Sequence, residues 1–377
     1  MRAIQGAKIV LEDMILEGYT LIYDQKIIDV VKDEDFKGDV ELEKFDGYIM
    51  PGFIDIHIHG AGGCDAMDAS EEALRTIQKS VVKGGTTSFL ATTMTMSTES
   101  IVNALQAIEG RLSTQERGDG AEILGCHLEG PFICHEYKGA QNPEYIQKPN
   151  EEWLKPFYPM VKLITMAPEQ DENMKHVKKW SEMGIVVSCG HTSATFEQLK
   201  EAYRAGARHI THCFNGMRGL HHREPGVVGG ALLLPFTAEM ITDGIHFRPE
   251  LMEMVYKMKG REKVVLITDA IRAAFLNETE SELGGQKVFI KDGACRLESG
   301  SLAGSIHQMR YALTNMLKYT TAHLTDIVKM LTVNPARLIG VDDRKARLQR
   351  GYDADFVLFN NDFELQATYV YGRKQDI

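Results

Sequence analysis

Two histidines separated by one residue, His57 and His59, end the apolar segment PGFIDIHIHG. Side chains at positions i and i+2 of a strand point to the same face, so the two imidazoles would project together. Imidazoles are common ligands of transition metals, although two structural histidines held by hydrogen bonds would show the same spacing. The pair therefore indicates a metal site only if other strands add further ligands.

Four other strand-like runs also end in a side chain that can bind a metal or carry a proton. They are Glu129 after AEILGCHL, His191 after IVVSCG, His212 after RHIT and Asp269 after KVVLIT. A glutamate among apolar residues is costly to bury unless it is paired or metal-bound. Two of these imidazoles and Glu129, with a water, would make a familiar ligand set for a divalent transition metal, and we predict such a site. Such a ligand set accepts Zn, Fe, Mn or Co, so the identity of the metal stays open.

Asp269 has two possible roles. It precedes AIRAA and could be the N-cap of a helix. Beside a metal-bound water, its carboxylate could instead take a proton and later return it to a leaving group. We favour the general base. His127 lies two residues before Glu129 and would sit deeper, where support of a ligand is expected rather than direct ligation.

The elements that would position these residues alternate along the chain. From about residue 49, short apolar strands alternate with amphipathic helical stretches, and about eight strands can be counted. This pattern predicts a parallel sheet closed into an α/β TIM-like (β/α)8 barrel over 49–340, with functional residues at the carboxyl ends of the strands. The strand-like segments 1–48 and 341–377 predict one small β-sandwich lobe. An open doubly wound sheet is the rival, but HGAGGCD lacks the spacing of its phosphate-binding turn.

Charge and cysteine usage restrict the partners and the compartment. The 377 residues include 42 Lys and Arg against 53 Asp and Glu, a net charge of −11. This acidic balance disfavours nucleic acid and anionic membranes as partners. Six cysteines without a CxxC pair, and no apolar segment of membrane-spanning length, predict a reduced, cytoplasmic setting.

Two loop segments carry residues suited to an anionic sugar. HCFNGMRGLHHREPGVVGG contains Asn215, Gly216 and Arg223, and TDGIHF contains His246. An arginine can grip phosphate through two hydrogen bonds, although a solvated surface arginine is the common alternative. These segments predict a phosphate or sugar contact only if they lie beside the metal ligands.

Several motifs together resemble N-acetylglucosamine-6-phosphate deacetylases of the amidohydrolase superfamily. They are PGFIDIHIHG, HLEGPF, KGAQNP, GHTSAT, THCFNGMRGLHHREPG, DGIHF, LITDA and LAGS, which span residues 51 to 305. GYDADFVLF is similar to the closing segment of the small β lobe of that superfamily. The HxH pair and the terminal aspartate are general to the superfamily, whereas HLEGPF, FNGM and REPG point to the sugar-phosphate deacetylases.

The resemblance implies a role for each matching position. Glu129, His191 and His212 would hold the catalytic metal, and a second ion is plausible at His57 and His59 with Glu129 bridging. Asp269 would act as general base and then acid. The phosphosugar would be contacted by Asn215, Gly216, His246 and Arg223, the last reaching in from the neighbouring subunit of a homodimer. Gln141 replaces a histidine of several relatives; its amide N–H can still donate to a developing oxyanion.

Three alternatives to an N-acetylglucosamine-6-phosphate deacetylase remain: another phosphosugar substrate, a cyclic amide substrate and a barrel without catalytic activity. The galactosamine 6-phosphate isomer differs in one hydroxyl, which a single sequence cannot resolve. Dihydroorotase-like relatives act on cyclic amides and commonly carry a carboxylated lysine, where this chain has Glu129. A non-catalytic barrel used as a scaffold would be expected to have lost ligands or the base, and this chain keeps them all.

Overall fold

The amino-terminal segment forms short strands at one end of the molecule. A computed structural model describes residues 1–377. Its first seven strands are β1 (Arg2–Gln5), β2 (Lys8–Val10), β3 (Ile15–Leu16), β4 (Tyr19–Tyr23), β5 (Ile27–Lys32), β6 (Glu41–Lys44) and β7 (Tyr48–Pro51). In β1 the two central residues, Ala3 and Ile4, are buried, while Arg2 and Gln5 at its ends are partly exposed.

The central element is a sheet of eight parallel strands. After β8 (Phe53–Ile58) and the hairpin strands β9 (Gly60–Ala61) and β10 (Cys64–Asp65), it continues through β11 (Thr86–Thr92), β12 (Glu122–Glu129), β13 (Val161–Met166), β14 (Val186–Cys189), β15 (His209–Ile210), β16 (Thr237–Ile241) and β17 (Val264–Ile267). The first and last of these meet beyond the end of β17, where the Asp269 N–H donates to the His57 carbonyl at 2.9 Å and the His59 N–H to the Ala270 carbonyl at 2.9 Å. The predicted barrel is confirmed.

Helices cover the outside of the barrel. They are α1 (Glu71–Val81), α2 (Thr98–Thr114), α3 (Lys175–Glu182), α4 (Phe196–Ala205), α5 (Gly226–Leu233), α6 (Pro249–Lys259), α7 (Met309–Tyr319), α8 (Leu324–Leu331) and α9 (Val333–Leu338). The first begins because the Ser70 side chain accepts a hydrogen bond from the Ala73 N–H, and it buries Leu74, Ile77 and Val81 at helical spacing. No helix in this set has the length and apolarity needed to cross a membrane.

A small antiparallel sheet, which the sequence analysis did not predict, lies between β17 and α7. Its strands are β18 (Glu280–Leu283), β19 (Gln286–Lys291) and β20 (Ala294–Leu297). Gly284–Gly285 and Asp292–Gly293 make the two turns, and such dipeptides between strands are a hairpin signal that was available in the sequence. The Gln286 side chain donates to the Ala140 carbonyl at 2.5 Å, which ties this sheet to the barrel mouth.

The two chain ends share one lobe. The last strands are β21 (Phe356–Phe359), β22 (Leu365–Val370) and β23 (Arg373–Lys374). They continue a six-stranded sheet in the order β23-β22-β21-β7-β2-β3, beside a four-stranded sheet in the order β5-β4-β1-β6. Ile4, Leu21, Phe356 and Tyr369 belong to the apolar core between them. The predicted β lobe is confirmed, while the domain limits at 48 and 341 stay a prediction.

Candidate metal centre and active site

Glu129, His191 and His212 come together at the carboxyl end of the barrel. Glu129 is the last residue of β12, and the two histidines follow β14 and β15. Nε2 of His191 lies 3.3 Å from Oε1 of Glu129, and Nε2 of His212 lies 3.1 Å from the same oxygen. The two Nε2 atoms are 3.1 Å apart. Three side chains separated by up to 83 positions in sequence thus direct one donor atom each to a common point.

The hydrogen bonds of the Nδ1 atoms of His191 and His212 indicate that a cation is needed at this common point. Nδ1 of His191 is 2.9 Å from the Tyr137 carbonyl, and Nδ1 of His212 is 3.0 Å from the Asn215 carbonyl. A carbonyl oxygen only accepts, so each Nδ1 carries the hydrogen and, in the neutral ring, each Nε2 presents a lone pair. Two lone pairs and a carboxylate oxygen facing one point are mutually repulsive without a cation between them. The donor set therefore fits a divalent metal ion.

A second group of ligands adjoins the first. His57, His59 and Asp269 also bring one ligand atom each within 4.8 Å of one another. Nε2 of His57 lies 3.3 Å from Oε1 of Glu129, and Nε2 of His59 lies 3.4 Å from Oε2. Nε2 of His57 is buried without a hydrogen-bond partner. The Glu129 carboxylate thus stands between the two groups, where it could face two ions.

Neighbouring carboxylates favour protonation of the two histidines in the second group. Burial disfavours the charged imidazolium of His57, but Glu239, Glu129 and Asp269 raise its pKa well above the ordinary value. Against the same cost of burial, hydrogen bonds to Asp269 and Glu129 raise the pKa of His59 to about 10. A metal ion entering here must displace these protons, as ligand imidazoles have to be neutral.

Asp269 does not cap a helix. The chain turns after Ala270, and the next helix is α7, which begins at Met309. The N-cap alternative is therefore wrong. Asp269 has a left-handed φ of 51°, and its Oδ1 lies 3.5 Å from Nε2 of His57 and 3.3 Å from Nε2 of His59. The carboxylate faces the ligands and lines the adjoining cavity, where it can exchange a proton with a bound water.

Gln141 touches the ligand that both groups share. Its Nε2 donates to Oε2 of Glu129 at 2.7 Å, while its Oε1 accepts from the Thr95 N–H at 2.7 Å. The amide is therefore held at both ends and lines the cavity. The amide donor of Gln141 therefore lies next to the ligand groups, where the carbonyl oxygen of a substrate would contact a bound ion.

The predicted sugar contacts Asn215, Gly216 and His246 line the same cavity, together with Leu283 and Leu302. Gly216 has φ of 57°, and a Cβ there would lie 2.9 Å from Nδ1 of His191, so only glycine fits. Nδ1 of His246 donates to Oδ2 of Asp243 at 2.7 Å. Burial opposes protonation, but Asp243 raises the pKa of His246, which favours a cation suited to an anionic substrate.

Arg223 lies outside this cavity. It is exposed, and its guanidinium contacts Nε2 of His222 at 2.7 Å. Within one chain it does not join the other predicted contacts. Its action from a neighbouring subunit, which the family resemblance implies, stays a prediction.

Three buried side chains around the ligands correct or extend the sequence analysis. Glu239 was missed, although a glutamate inside the apolar run TAEMI was the same signal that identified Glu129. His209 belongs to β15, and its Nε2 lies 3.2 Å from Oε1 of Glu239. His127 uses both ring nitrogens on the Ile56 carbonyl and the Thr165 hydroxyl, at 3.0 and 2.7 Å, so it supports the interior rather than binding metal.

Comparison with known proteins agrees with this geometry. The family model of the amidohydrolase family matches residues 48–374. The chain belongs to the amidohydrolase family. The match includes every residue assigned above to the two ligand groups, and divalent metals are the usual cofactors of this family.

Relatives of this amidohydrolase carry a more specific name. An N-acetylglucosamine-6-phosphate deacetylase of Lysinibacillus sphaericus is 42% identical over 355 residues, covering 93% of this chain and 91% of the relative. The crystal structure of an N-acetylglucosamine-6-phosphate deacetylase from Pasteurella multocida aligns over 100% of both chains with a TM-score of 0.94 and 29% identity. An N-acetylgalactosamine-6-phosphate deacetylase of Escherichia coli O157:H7 is 33% identical over 330 residues, 86% of this chain and 87% of the relative. The resemblance noted from the motifs is confirmed.

Proposed function

We propose that this amidohydrolase hydrolyses the N-acetyl group of N-acetyl-D-glucosamine 6-phosphate, giving D-glucosamine 6-phosphate and acetate in amino-sugar breakdown. The observation that carries the proposal is the meeting of Glu129, His191 and His212 beside Asp269 at the wall of one cavity. The names of the relatives supply the substrate, since metal ligands alone define only a hydrolase.

The metal would be held by Glu129, His191 and His212, with a second ion at His57, His59 and Asp269. When bound, such an ion polarises a carbonyl and makes water acidic enough to ionise near neutral pH. The ligands accept Zn, Fe, Mn or Co, as one or two ions per subunit, and metal availability contributes as much as these ligands to which metal is bound.

The protein's own groups position the amide and move the proton. Asp269 accepts a proton from the attacking water, whose oxygen forms the new bond to the acetyl carbon. Gln141 donates its amide N–H toward the acetyl oxygen as negative charge develops there. Asp269 then gives the proton to the sugar nitrogen as the C–N bond breaks, so the products are acetate and a free amine.

The phosphosugar would contact groups from two chains. Asn215, Gly216 and His246 belong to the cavity wall, and the cationic tendency of His246 suits a phosphate. Arg223 would enter from the second subunit of a homodimer. Coexpressing Arg223→Ala with Asp269→Asn tests this arrangement, because a random mixture of dimers would restore activity to about a quarter of the sites. A mixture no more active than either variant alone would rule out contribution in trans.

A second substrate has a specific observation in its favour. The relative from Escherichia coli O157:H7, at 33% identity, is named for the galactosamine isomer. A cyclic amide is less favoured, because the bridging position here is the Glu129 carboxylate rather than a carboxylated lysine. For the compartment, we propose the cytoplasm, which the six unpaired cysteines support.

Acetate release from the metal-loaded enzyme is the direct test. The glucosamine and galactosamine 6-phosphate substrates are compared at equal concentration, with unphosphorylated N-acetylglucosamine as the control for phosphate recognition. We expect the highest kcat/KM for N-acetylglucosamine 6-phosphate and a large loss without the phosphate. Preference for the galacto isomer would transfer the proposal to that substrate. No acetate from either phosphosugar would overturn it.

A further inference from the structure

Glu239 occupies a central place behind both ligand groups. It lies on β16, inside the barrel, with no exposed surface. One carboxylate oxygen, Oε2, accepts a hydrogen bond from Nδ1 of His57 at 2.9 Å and from the backbone N–H of His212 at 2.8 Å. The other, Oε1, lies 3.2 Å from Nε2 of His209. A single oxygen atom is thus bonded to one ligand residue of each group.

The two bonds control different features of the ligands. The bond from His57 requires the hydrogen on Nδ1, so its Nε2 faces Glu129 and Asp269 as a lone pair once the ring is neutral. The bond from His212 acts on the backbone, where φ is 29°, a value that L residues rarely adopt. The Cys213 N–H adds a third bond, at 3.0 Å, to the Glu239 carbonyl. Both the tautomer and the loop conformation therefore depend on Glu239.

We propose that Glu239 is a positioning residue that couples the two ion sites by holding His57 and His212 through one carboxylate oxygen. Its role is to assemble ligands before substrate binds, so it touches neither substrate nor ion. The inference rests on the metal-dependent function proposed above. It goes beyond that function because it predicts that the two ligand groups are coupled. Loss of Glu239, which belongs to neither group, would weaken metal binding at both.

Three substitutions separate this role from general packing. Glu239→Met keeps most of the volume and removes both acceptors. Glu239→Gln retains one acceptor oxygen but loses the negative charge that makes the His57 imidazole a stronger ligand. His209→Gln is the matched control, because it changes an equally buried partner of Oε1 and leaves both bonds to Oε2 in place.

Cobalt(II) is a suitable probe, because its visible absorption reports coordination without substrate. Loss of such a supporting group typically weakens metal binding by about 10–100-fold. We expect a loss in this range at both sites for Glu239→Met and a smaller loss for Glu239→Gln. His209→Gln is expected to bind cobalt within about twofold of the unmodified protein, well below that range.

Several outcomes would overturn the inference. They are unchanged cobalt affinity in both Glu239 variants, weakening at only one of the two sites, or an equal loss in His209→Gln. Far-ultraviolet circular dichroism checks folding, and if Glu239→Met does not fold, the contrast between Glu239→Gln and His209→Gln decides. The titration omits substrate, so failure of the inference and failure of the deacetylase assay are distinguishable.

Discussion

The strand β12 carries a carboxylate at each end, Glu122 partly exposed and Glu129 buried, and the two have different partners. Glu122, its first residue, forms ion pairs with Nη2 of Arg344 at 2.9 Å and with Nζ of Lys345 at 2.6 Å. Glu129, its last residue, has no lysine or arginine partner and faces imidazoles instead. The same strand thus ends in two charged clusters roughly 23 Å apart, at 3.3 Å per residue.

The cluster at Glu122 supplies its own positive charge. Lys345 is almost fully buried and also contacts Asp355 at 2.5 Å and Asp353 at 3.1 Å. Because Asp353 and Asp355 immediately precede β21, this network fastens the terminal lobe to the amino-terminal end of the barrel. Its carboxylates are neutralised by protein groups, so the cluster is complete as folded.

The cluster at Glu129 depends on a charge from outside the protein. The Nδ1 atom of each imidazole forms a hydrogen bond with a backbone carbonyl or with Glu239. The Nε2 atoms and the carboxylates of Glu129 and Asp269 therefore face one another with no protein cation between them. Burial of charge therefore does not by itself distinguish a functional cluster from a structural one. The two clusters differ in whether the compensating positive charge comes from protein side chains or from a bound metal ion, and four experiments test this difference.

The largest effect is expected for Asp269→Asn. Removing the group that accepts and returns the proton should lower kcat by about 10²–10⁴-fold. Acetate release measures the turnover, and metal analysis verifies that the ion at Glu129, His191 and His212 is retained. Near-normal turnover in a metal-loaded variant would remove Asp269 from the proposed chemistry.

At the opposite end of the barrel, Lys345→Met should act on stability and not on turnover. Leaving Glu122, Asp353 and Asp355 without their shared cation should lower the free energy of unfolding by about 3–5 kcal/mol. Lys26→Met is the matched control, because Lys26 also pairs with Asp353 but is half exposed, and its loss should cost less than about 1 kcal/mol. Denaturant unfolding measures both. Equal losses in the two variants would contradict the distinction.

Adding a divalent metal should stabilise only through the Glu129 cluster. At a free ion concentration of 100 times Kd, binding to the native state alone raises the free energy of unfolding by about 2.7 kcal/mol. The same increment is expected in Lys345→Met, since the two clusters share no residue. It should be smaller in a variant with His191 and His212 both changed to Asn, which keeps only the ligand group of His57, His59 and Asp269. If Lys345→Met lost the increment, the clusters would not be independent.

The smallest effect concerns acid. Burial favours the neutral acid, but Lys345 and Arg344 lower the pKa of Glu122 to about 2. Between its ordinary value of 4.5 and about 2, the unfolded chain binds the proton and the native protein does not. Stability gained from this ionisation is therefore complete above pH 4.5 and is lost as the pH falls toward 2.

Glu122→Gln provides the comparison for that acid range. The free energy of unfolding of the unmodified protein should fall more steeply with decreasing pH, by up to about 1.4 kcal/mol per pH unit. Urea unfolding at a series of pH values measures the two slopes. Parallel slopes would show that Glu122 does not titrate as its pairing requires.

Local patterns were enough to predict much of the barrel and which histidines and carboxylates stand at the carboxyl ends of its strands. The period of two in FIDIHIH and the apolar runs before Glu129 and Asp269 are properties of single strands, which the sequence displays directly. Glu239 was missed because it interrupts a short strand and its importance depends on which neighbours it meets. The sheet β18–β20 was missed although its glycine turns were visible.

The sequence by itself determined most of the barrel strands and which of their residues could bind a metal or carry a proton. Only the tertiary structure decided that residues from β8, β12, β14, β15 and β17 share one space, because that depends on closure of the sheet. It also decided which ring nitrogen of His191 carries hydrogen, since the Tyr137 carbonyl comes from a different loop, 54 positions away in sequence. Spacing along a strand is a local property, whereas the partner of a side chain depends on contacts between distant segments.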